Sequence, residues 1–184
     1  MKLSYLSVLL GIGLITPGIL GLARPAQLAA IARQFPRNFA AGVVLMLLGT
    51  AWFVWNVSVE PIADFSVFKP YMMMGFTAVG VLSCIFVRDF LAVRGLAVVM
   101  LLLAKLMLDT GRPHLGESAF VPLFQGWAYV FVVLGIWFTI TPWRLRDILE
   151  WATANDARLR LLSGLRLAFA TFILILGLTA FHAM

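Results

Sequence analysis

Six long apolar stretches account for most of this chain and restrict what it can fold into. They are Leu3–Leu22, Phe39–Val57, Tyr71–Val87, Phe90–Leu108, Val121–Thr141 and Leu161–Phe181. Each has about 20 residues, the length that a helix needs to cross the hydrocarbon core of a bilayer. Backbone polar groups find no water there, so each stretch must satisfy them internally by forming a helix. We therefore expect an all-α membrane protein with six transmembrane helices.

The composition excludes an ordinary water-soluble domain. The chain is 62% apolar and 12% charged, against roughly 45–50% and about 25% in soluble domains. Its net charge of +6 comes from dispersed arginines and not from a basic patch interleaved with aromatic residues, so we expect no nucleic-acid partner. The single cysteine, Cys84, lies inside an apolar stretch and excludes an intramolecular disulfide.

The basic residues predict the orientation in the membrane. Ten of them lie in or beside the first, third and fifth connections: Arg24, Arg33, Arg37, Arg88, Arg94, Arg144, Arg146, Arg158, Arg160 and Arg166. Lys and Arg accumulate in cytoplasmic loops. We therefore expect these three connections to be cytoplasmic and both termini to lie on the non-cytoplasmic side of the membrane. The first stretch resembles a signal peptide but is longer than the usual apolar region of one, which favours an uncleaved helix.

Two of these connections have helical periodicity. Apolar residues recur at helical spacing after Pro25 and after Pro142, at Leu28, Ile31 and Phe35, and at Leu145, Ile148 and Leu149. The pattern predicts short amphipathic helices that lie in the cytoplasmic interface; packing against the helix bundle is the alternative. Basic residues in these connections are candidate contacts for anionic lipid headgroups: Arg24, Arg33, Arg37, Arg144, Arg146, Arg158 and Arg160.

The arrangement of helix, short helix and helix occurs twice. Gly18, Pro25, Leu28 and Ile31 match Gly135, Pro142, Leu145 and Ile148 at a constant separation. Such a parallel repeat implies a pseudo-twofold axis along the membrane normal. We therefore divide a single membrane domain, 1–184, into a first repeat unit (1–57), a central helix pair (66–110) and a second repeat unit (121–184).

The repeated unit resembles small two-helix bacterial inner-membrane proteins of unknown function. The full layout, with FKPYMMMGFTAVG, FVRDFLAVRGL and AYVFVVLGIWFTITPWRLRD, looks like an uncharacterised family of bacterial multi-pass membrane proteins. The resemblance covers most of the chain. It implies a multi-pass protein of the bacterial inner membrane with both termini in the periplasm, and it implies no activity.

One motif suggests phosphate chemistry. Lys105, Arg112 and Pro113 match the first motif of membrane phosphatases related to type-2 phosphatidic acid phosphatase, in which Lys and Arg hold the phosphate and a His is the nucleophile. The PSGH motif and the later SR-x5-H-x3-D motif of that family are missing here. We therefore expect Lys105 to pair with Asp109 one turn later, and we predict no catalytic residue.

The sequence also predicts no metal or cofactor site. His114, His182 and the run Met72–Met74 carry side chains that could ligate copper or haem. No ligand spacing connects them, and methionine is common in apolar helices.

Three functional hypotheses follow. The leading one is a non-enzymatic scaffold or accessory subunit of a membrane assembly, with protein partners or a homo-oligomer. The alternative is a small transporter or channel for ions, lipids or metabolites, with Arg88, Asp89, Lys105 and Asp109 as its candidate polar groups. A lipid-modifying enzyme is the third.

Overall fold

The computed structural model describes residues 2–61 and 66–181, and this part of the chain contains eight α-helices. They are α1 (Leu3–Ala23), α2 (Pro25–Gln34), α3 (Phe39–Val59), α4 (Lys69–Phe86), α5 (Leu91–Gly111), α6 (Phe120–Ile140), α7 (Trp143–Ala152) and α8 (Asp156–Leu178). Short 3₁₀ turns occur at Phe35–Arg37, Ser66–Phe68 and Arg112–His114. Six of the eight, all but α2 and α7, are long and apolar enough to cross a membrane, which confirms the predicted spans.

The last helix begins earlier than predicted. Asn155 caps it, because its side-chain oxygen accepts the backbone N–H of Ala157 at 2.9 Å. Asp156 follows in the first turn, where a negative charge is favourable. Arg158 and Arg160 are therefore residues of α8 and do not belong to the connection that precedes it.

The chain divides into two compact units. The first contains Met1–Gln34, Ala104–Val130 and Arg146–Met184, and the second contains Phe35–Leu103 and Phe131–Leu145. Helices α1 and α2 therefore belong to one unit and α3 to the other. The compact units cut across the predicted repeat, which remains a prediction.

In the first unit, α1 packs antiparallel against α8 through small residues. Near the start of α1, Ser7 lies against Gly177 of α8, where an added Cβ would be 3.0 Å from the Ser7 Cβ. Near its end, Gly21 lies against Ser163, whose hydroxyl occupies the space of a Cβ. Small residues let helix backbones approach closely in a bilayer. This contact brings the first and last spans side by side.

In the second unit, α3 runs parallel to α5. A Cβ added to Gly42 would lie 2.7 Å from the backbone nitrogen of Ala92, and one added to Gly95 would lie 2.8 Å from that of Met46. The contact at Gly42 of α3 is with Ala92 of α5, and the contact further along α3, at Met46, is with Gly95 further along α5. The two helices therefore run in the same direction. The two backbones touch because glycine occupies both crossing points.

Helix α4 packs antiparallel on α3. Thr50 fills the space beside Gly80, and the rings of Phe53 and Phe76 meet edge to face with centroids 4.8 Å apart. Among the residues of α4, Gly80 is the buried one. Residues 87–90 connect α4 to α5, and Phe90 in this short connection has a φ of 54°, which is uncommon for a residue other than glycine.

Candidate functional site

The transporter hypothesis depends on four polar residues, two of which lie between α4 and α5. The Arg88 and Asp89 side chains are exposed at this connection. The Arg88 guanidinium lies 5.8 Å from the centroid of the Phe39 ring, in a cation–π contact. Neither residue lines the two cavities that lie beside α3 and α4.

The other two polar residues form the predicted pair. The Lys105 Nζ lies 2.6 Å from Asp109 Oδ2, one turn along α5, and the two side chains are 42% and 48% exposed. The pair joins residues of the same helix and connects no second element through this bond. The expected local pairing is confirmed.

Lys105→Met is expected to lower the free energy of unfolding by no more than about 0.5 kcal/mol, the usual contribution of such a pair within one helix. Thermal unfolding in mild detergent measures the change, with Asp109→Asn as the matched variant. A loss of several kcal/mol in either variant would contradict a purely local role.

The phosphatase-like motif is not completed by the residues near it. Arg112 is exposed in the turn after α5. The Nδ1 of His114 lies 2.8 Å from a carboxylate oxygen of Glu117, within the same connection. His182 lies outside the described residues. Within the described ranges, no group of three or more His, Cys, Asp and Glu side chains could hold a metal ion.

Arg33 bonds to the end of a helix distant in the sequence. Its Nε donates to the Thr153 hydroxyl at 2.8 Å, and its Nη2 donates to the Thr153 carbonyl. The Thr153 hydroxyl donates in turn to the Leu149 carbonyl at 2.7 Å. A cation thus binds the C-terminal end of α7, where helix carbonyls lack intrahelical donors. Arg33 ties α2 to α7 in addition to being a headgroup candidate.

Two other headgroup candidates also have protein partners. Arg146 binds the Asp147 carboxylate at 2.8 Å, and this hydrogen bond and charge raise the pKa of Arg146. Arg158 donates to the Trp151 carbonyl at 2.8 Å, and its guanidinium lies 4.6 Å from the centroid of the Trp151 ring. These contacts hold both guanidinium groups against the protein.

The remaining candidates point outward. Arg24 makes a long contact of 3.5 Å to Gln27. The Arg37, Arg144 and Arg160 side chains are exposed. These four positions are accessible to anionic headgroups, and so is Arg33, whose side chain is also exposed.

Arg94 was counted with the cytoplasmic connection, and the structure places it in the first turn of α5. Its Nη1 donates to the Thr139 carbonyl near the end of α6 at 3.4 Å, and its Nε is buried without a hydrogen-bond partner. The guanidinium therefore links two spans. The sequence contained a signal for this position, because the predicted stretch Phe90–Leu108 already included residue 94 near its start.

The helical glycines fall into two groups that the sequence does not separate. In the covered group, an added Cβ would lie within 3.5 Å of another helix or of a side chain packed on it: Gly11, Gly18, Gly21, Gly42, Gly49, Gly80, Gly95, Gly111, Gly135 and Gly177. In the open group, an added Cβ would meet nothing within 4 Å: Gly13, Gly75, Gly126 and Gly164. The open glycines leave shallow notches on α1, α4, α6 and α8.

Comparison with known protein families, with curated proteins and with solved structures gives no match to this chain. The resemblance to uncharacterised bacterial membrane proteins therefore remains a prediction.

Proposed function

We propose that this chain is a non-enzymatic integral membrane protein that serves as a scaffold or accessory subunit of a bacterial inner-membrane assembly. The open helical glycines are the observation that carries the proposal. Within the chain, helical glycines mark the places where one helix meets another, as at Gly42 and Gly95. Gly75 and Gly126 have the same residue type and no neighbour. Helices of another subunit would complete these contacts by the same close approach.

The polar residues support this function better than transport. Lys105 and Asp109 satisfy each other on an exposed helix face. Arg88 and Asp89 are exposed at a connection. A transporter needs such groups around a water-filled path near the middle of the membrane. The lipid-modifying enzyme has less support, because neither the PSGH motif nor the SR-x5-H-x3-D motif is present in the sequence.

The proposed orientation has periplasmic termini and cytoplasmic short helices. The antiparallel contact of α1 and α8 agrees with termini on one side of the membrane. Ile31 of α2 and Trp151 of α7 are 59% and 57% exposed, which suits contact with acyl chains at an interface. The exposed Arg37, Arg144 and Arg160 would lie near the anionic headgroups of the cytoplasmic leaflet.

Gly126→Leu and Gly75→Leu are expected to remove partner subunits while leaving the isolated chain folded. The leucine side chains would fill the open notches and keep another helix about one side-chain layer away. Affinity isolation from native membranes in mild detergent, followed by light-scattering mass and identification of retained subunits, measures the loss.

Val133→Leu is the matched control, because Val133 is an exposed residue of α6 that already carries a branched side chain. It is expected to retain the partners. A wild-type protein that is isolated as a monomer with no retained subunit contradicts the proposed function.

A further inference from the structure

A lateral groove runs along the contact between α3 and α4. One cavity, of about 460 Å³, lies between Leu47, Val54 and Val81, with Thr50, Thr77 and Trp55 also in its lining. A second cavity, of about 490 Å³, is lined by Pro70, Met74 and Lys69. Both are lined by Ser58 and Met73, so the two cavities lie next to each other, and together we call them the groove.

The chemistry of the groove suits an apolar chain. Three hydroxyl groups lie in its lining, and each donates its proton to a carbonyl of its own helix: Thr50 to Met46, Ser58 to Trp55 and Thr77 to Met73, at 2.7–2.8 Å. A polar substrate would therefore find no free hydroxyl proton there. The methionine side chains adapt to an irregular apolar occupant.

The length of the groove matches one leaflet. Along α3 the lining extends from Leu47 to Ser58, which is about 16 Å at 1.5 Å per residue. Half of a ~30 Å hydrocarbon core is about 15 Å. An acyl chain that enters at the Ser58 end would reach roughly the middle of the bilayer at Leu47.

A cation lies at the end of the groove where a headgroup would be. Lys69 is the first residue of α4, and its Nζ donates to the Glu60 carbonyl at 3.1 Å. An ammonium group has three donors, so this bond leaves two for the oxygens of a phosphate. Trp55, 66% exposed, lines the same end, and tryptophan is enriched at the membrane interface.

We propose that this groove is a phospholipid-binding site, in which the hydrocarbon part of the groove holds one acyl chain and Lys69 binds the phosphate. A partner helix fits the groove less well, because its lining contains no glycine and Thr50 already fills the space beside Gly80. None of the open glycines lines the groove, and this proposal does not depend on the proposed assembly function.

The test measures binding of a defined lipid to the full chain. Delipidated protein in mild detergent is titrated with dioleoyl phosphatidylglycerol, and native mass spectrometry counts the lipids bound. Lys69→Gln is expected to weaken the first binding event about fivefold, the effect of losing one cation beside an anionic headgroup. Ala51→Trp, which places a large side chain in the groove, is expected to abolish it.

Two control variants make the same kinds of change, the loss of a lysine charge and the addition of a tryptophan, at positions outside the groove. Lys105→Gln removes an exposed lysine of α5, and Val133→Trp adds bulk to an exposed position of α6. Both controls are expected to bind as the wild type does. Equal elution volume and melting temperature show that each variant is folded.

Two further ligands test whether the site recognises a whole phospholipid, its hydrocarbon part alone or its phosphate alone. Dioleoylglycerol, which lacks the phosphate, is expected to bind about as weakly to the wild type as phosphatidylglycerol binds to Lys69→Gln. Inorganic phosphate alone is expected not to bind. The proposal would be overturned by unchanged lipid binding in both groove variants, or by equal losses of binding in the controls. It would also be overturned if the purified wild type retained a polypeptide that Ala51→Trp removes.

Discussion

Gly95→Leu is expected to separate α3 from α5 and to lower the free energy of unfolding by about 3 kcal/mol or more. A Cβ at residue 95 would lie 2.8 Å from both the Met46 backbone nitrogen and the Leu45 Cβ. Neither atom belongs to the flexible end of a side chain, so the helices themselves would have to move. Overpacking of this kind usually costs 1–3 kcal/mol, and more where backbone must shift. Thermal unfolding in mild detergent should show a loss of about 10 °C.

Gly75→Leu is the matched control within the same unit. It makes the same chemical change on α4, where an added Cβ would meet nothing within 4 Å. Its melting temperature is expected to remain within about 1–2 °C of the wild type, since surface substitutions are usually near neutral. Equal melting temperatures for Gly95→Leu and Gly75→Leu would show that the α3–α5 contact is not as close as described.

Arg33→Met is expected to detach α2 from the end of α7 at a cost of about 2 kcal/mol. Methionine keeps much of the apolar stem and removes both donors to Thr153. Hydrogen bonds to charged groups contribute about 1.5–3 kcal/mol, and the Thr153 carbonyl would lose its charged donor. Hydrogen exchange of residues 146–154 is expected to accelerate about tenfold or more, because local opening then costs less.

Two further variants isolate this interaction. Arg37→Met removes an exposed arginine four residues further along the chain and is expected to leave the exchange of α7 unchanged. Thr153→Val removes the hydroxyl partner, so a double-mutant cycle with Arg33→Met measures the coupling between the two side chains. A coupling near zero, with unchanged exchange in Arg33→Met, would contradict the bond between α2 and α7.

The spans were predictable because bilayer thickness sets the length of an apolar helix. All six predicted stretches coincide with long helices to within a few residues. The largest error, at the start of α8, has a local cause. Asn155 is a good N-cap, and it extends the helix beyond the apolar stretch that hydropathy detects.

The contacts between helices were less predictable, because they depend on distance in space. Arg33 and Thr153 are 120 residues apart, and no local pattern connects them. The open and covered glycines are the same residue in similar apolar surroundings. Only the position of the neighbouring helix distinguishes Gly75 from Gly80.

The helical periodicity of the sequence also could not predict the groove between α3 and α4. Its lining combines Leu47 and Val54 of one helix with Met73 and Val81 of the next. Sequence patterns show that such residues are apolar, but they do not show where two helices diverge enough to leave a cavity.

The pairing of α1 with α8 constrains the order of events during synthesis. Helix α1 is made before α8, the helix that covers its small-residue face and that begins at Asp156. At about 5–20 residues per second, the ribosome needs on the order of 10 s to reach that helix. Throughout that interval α1 must be sheltered by lipid or by the insertion machinery. A ribosome that stalls before Asn155 would therefore leave a nascent chain with an uncovered first helix, a form that membrane proteases and chaperones can distinguish from the finished protein.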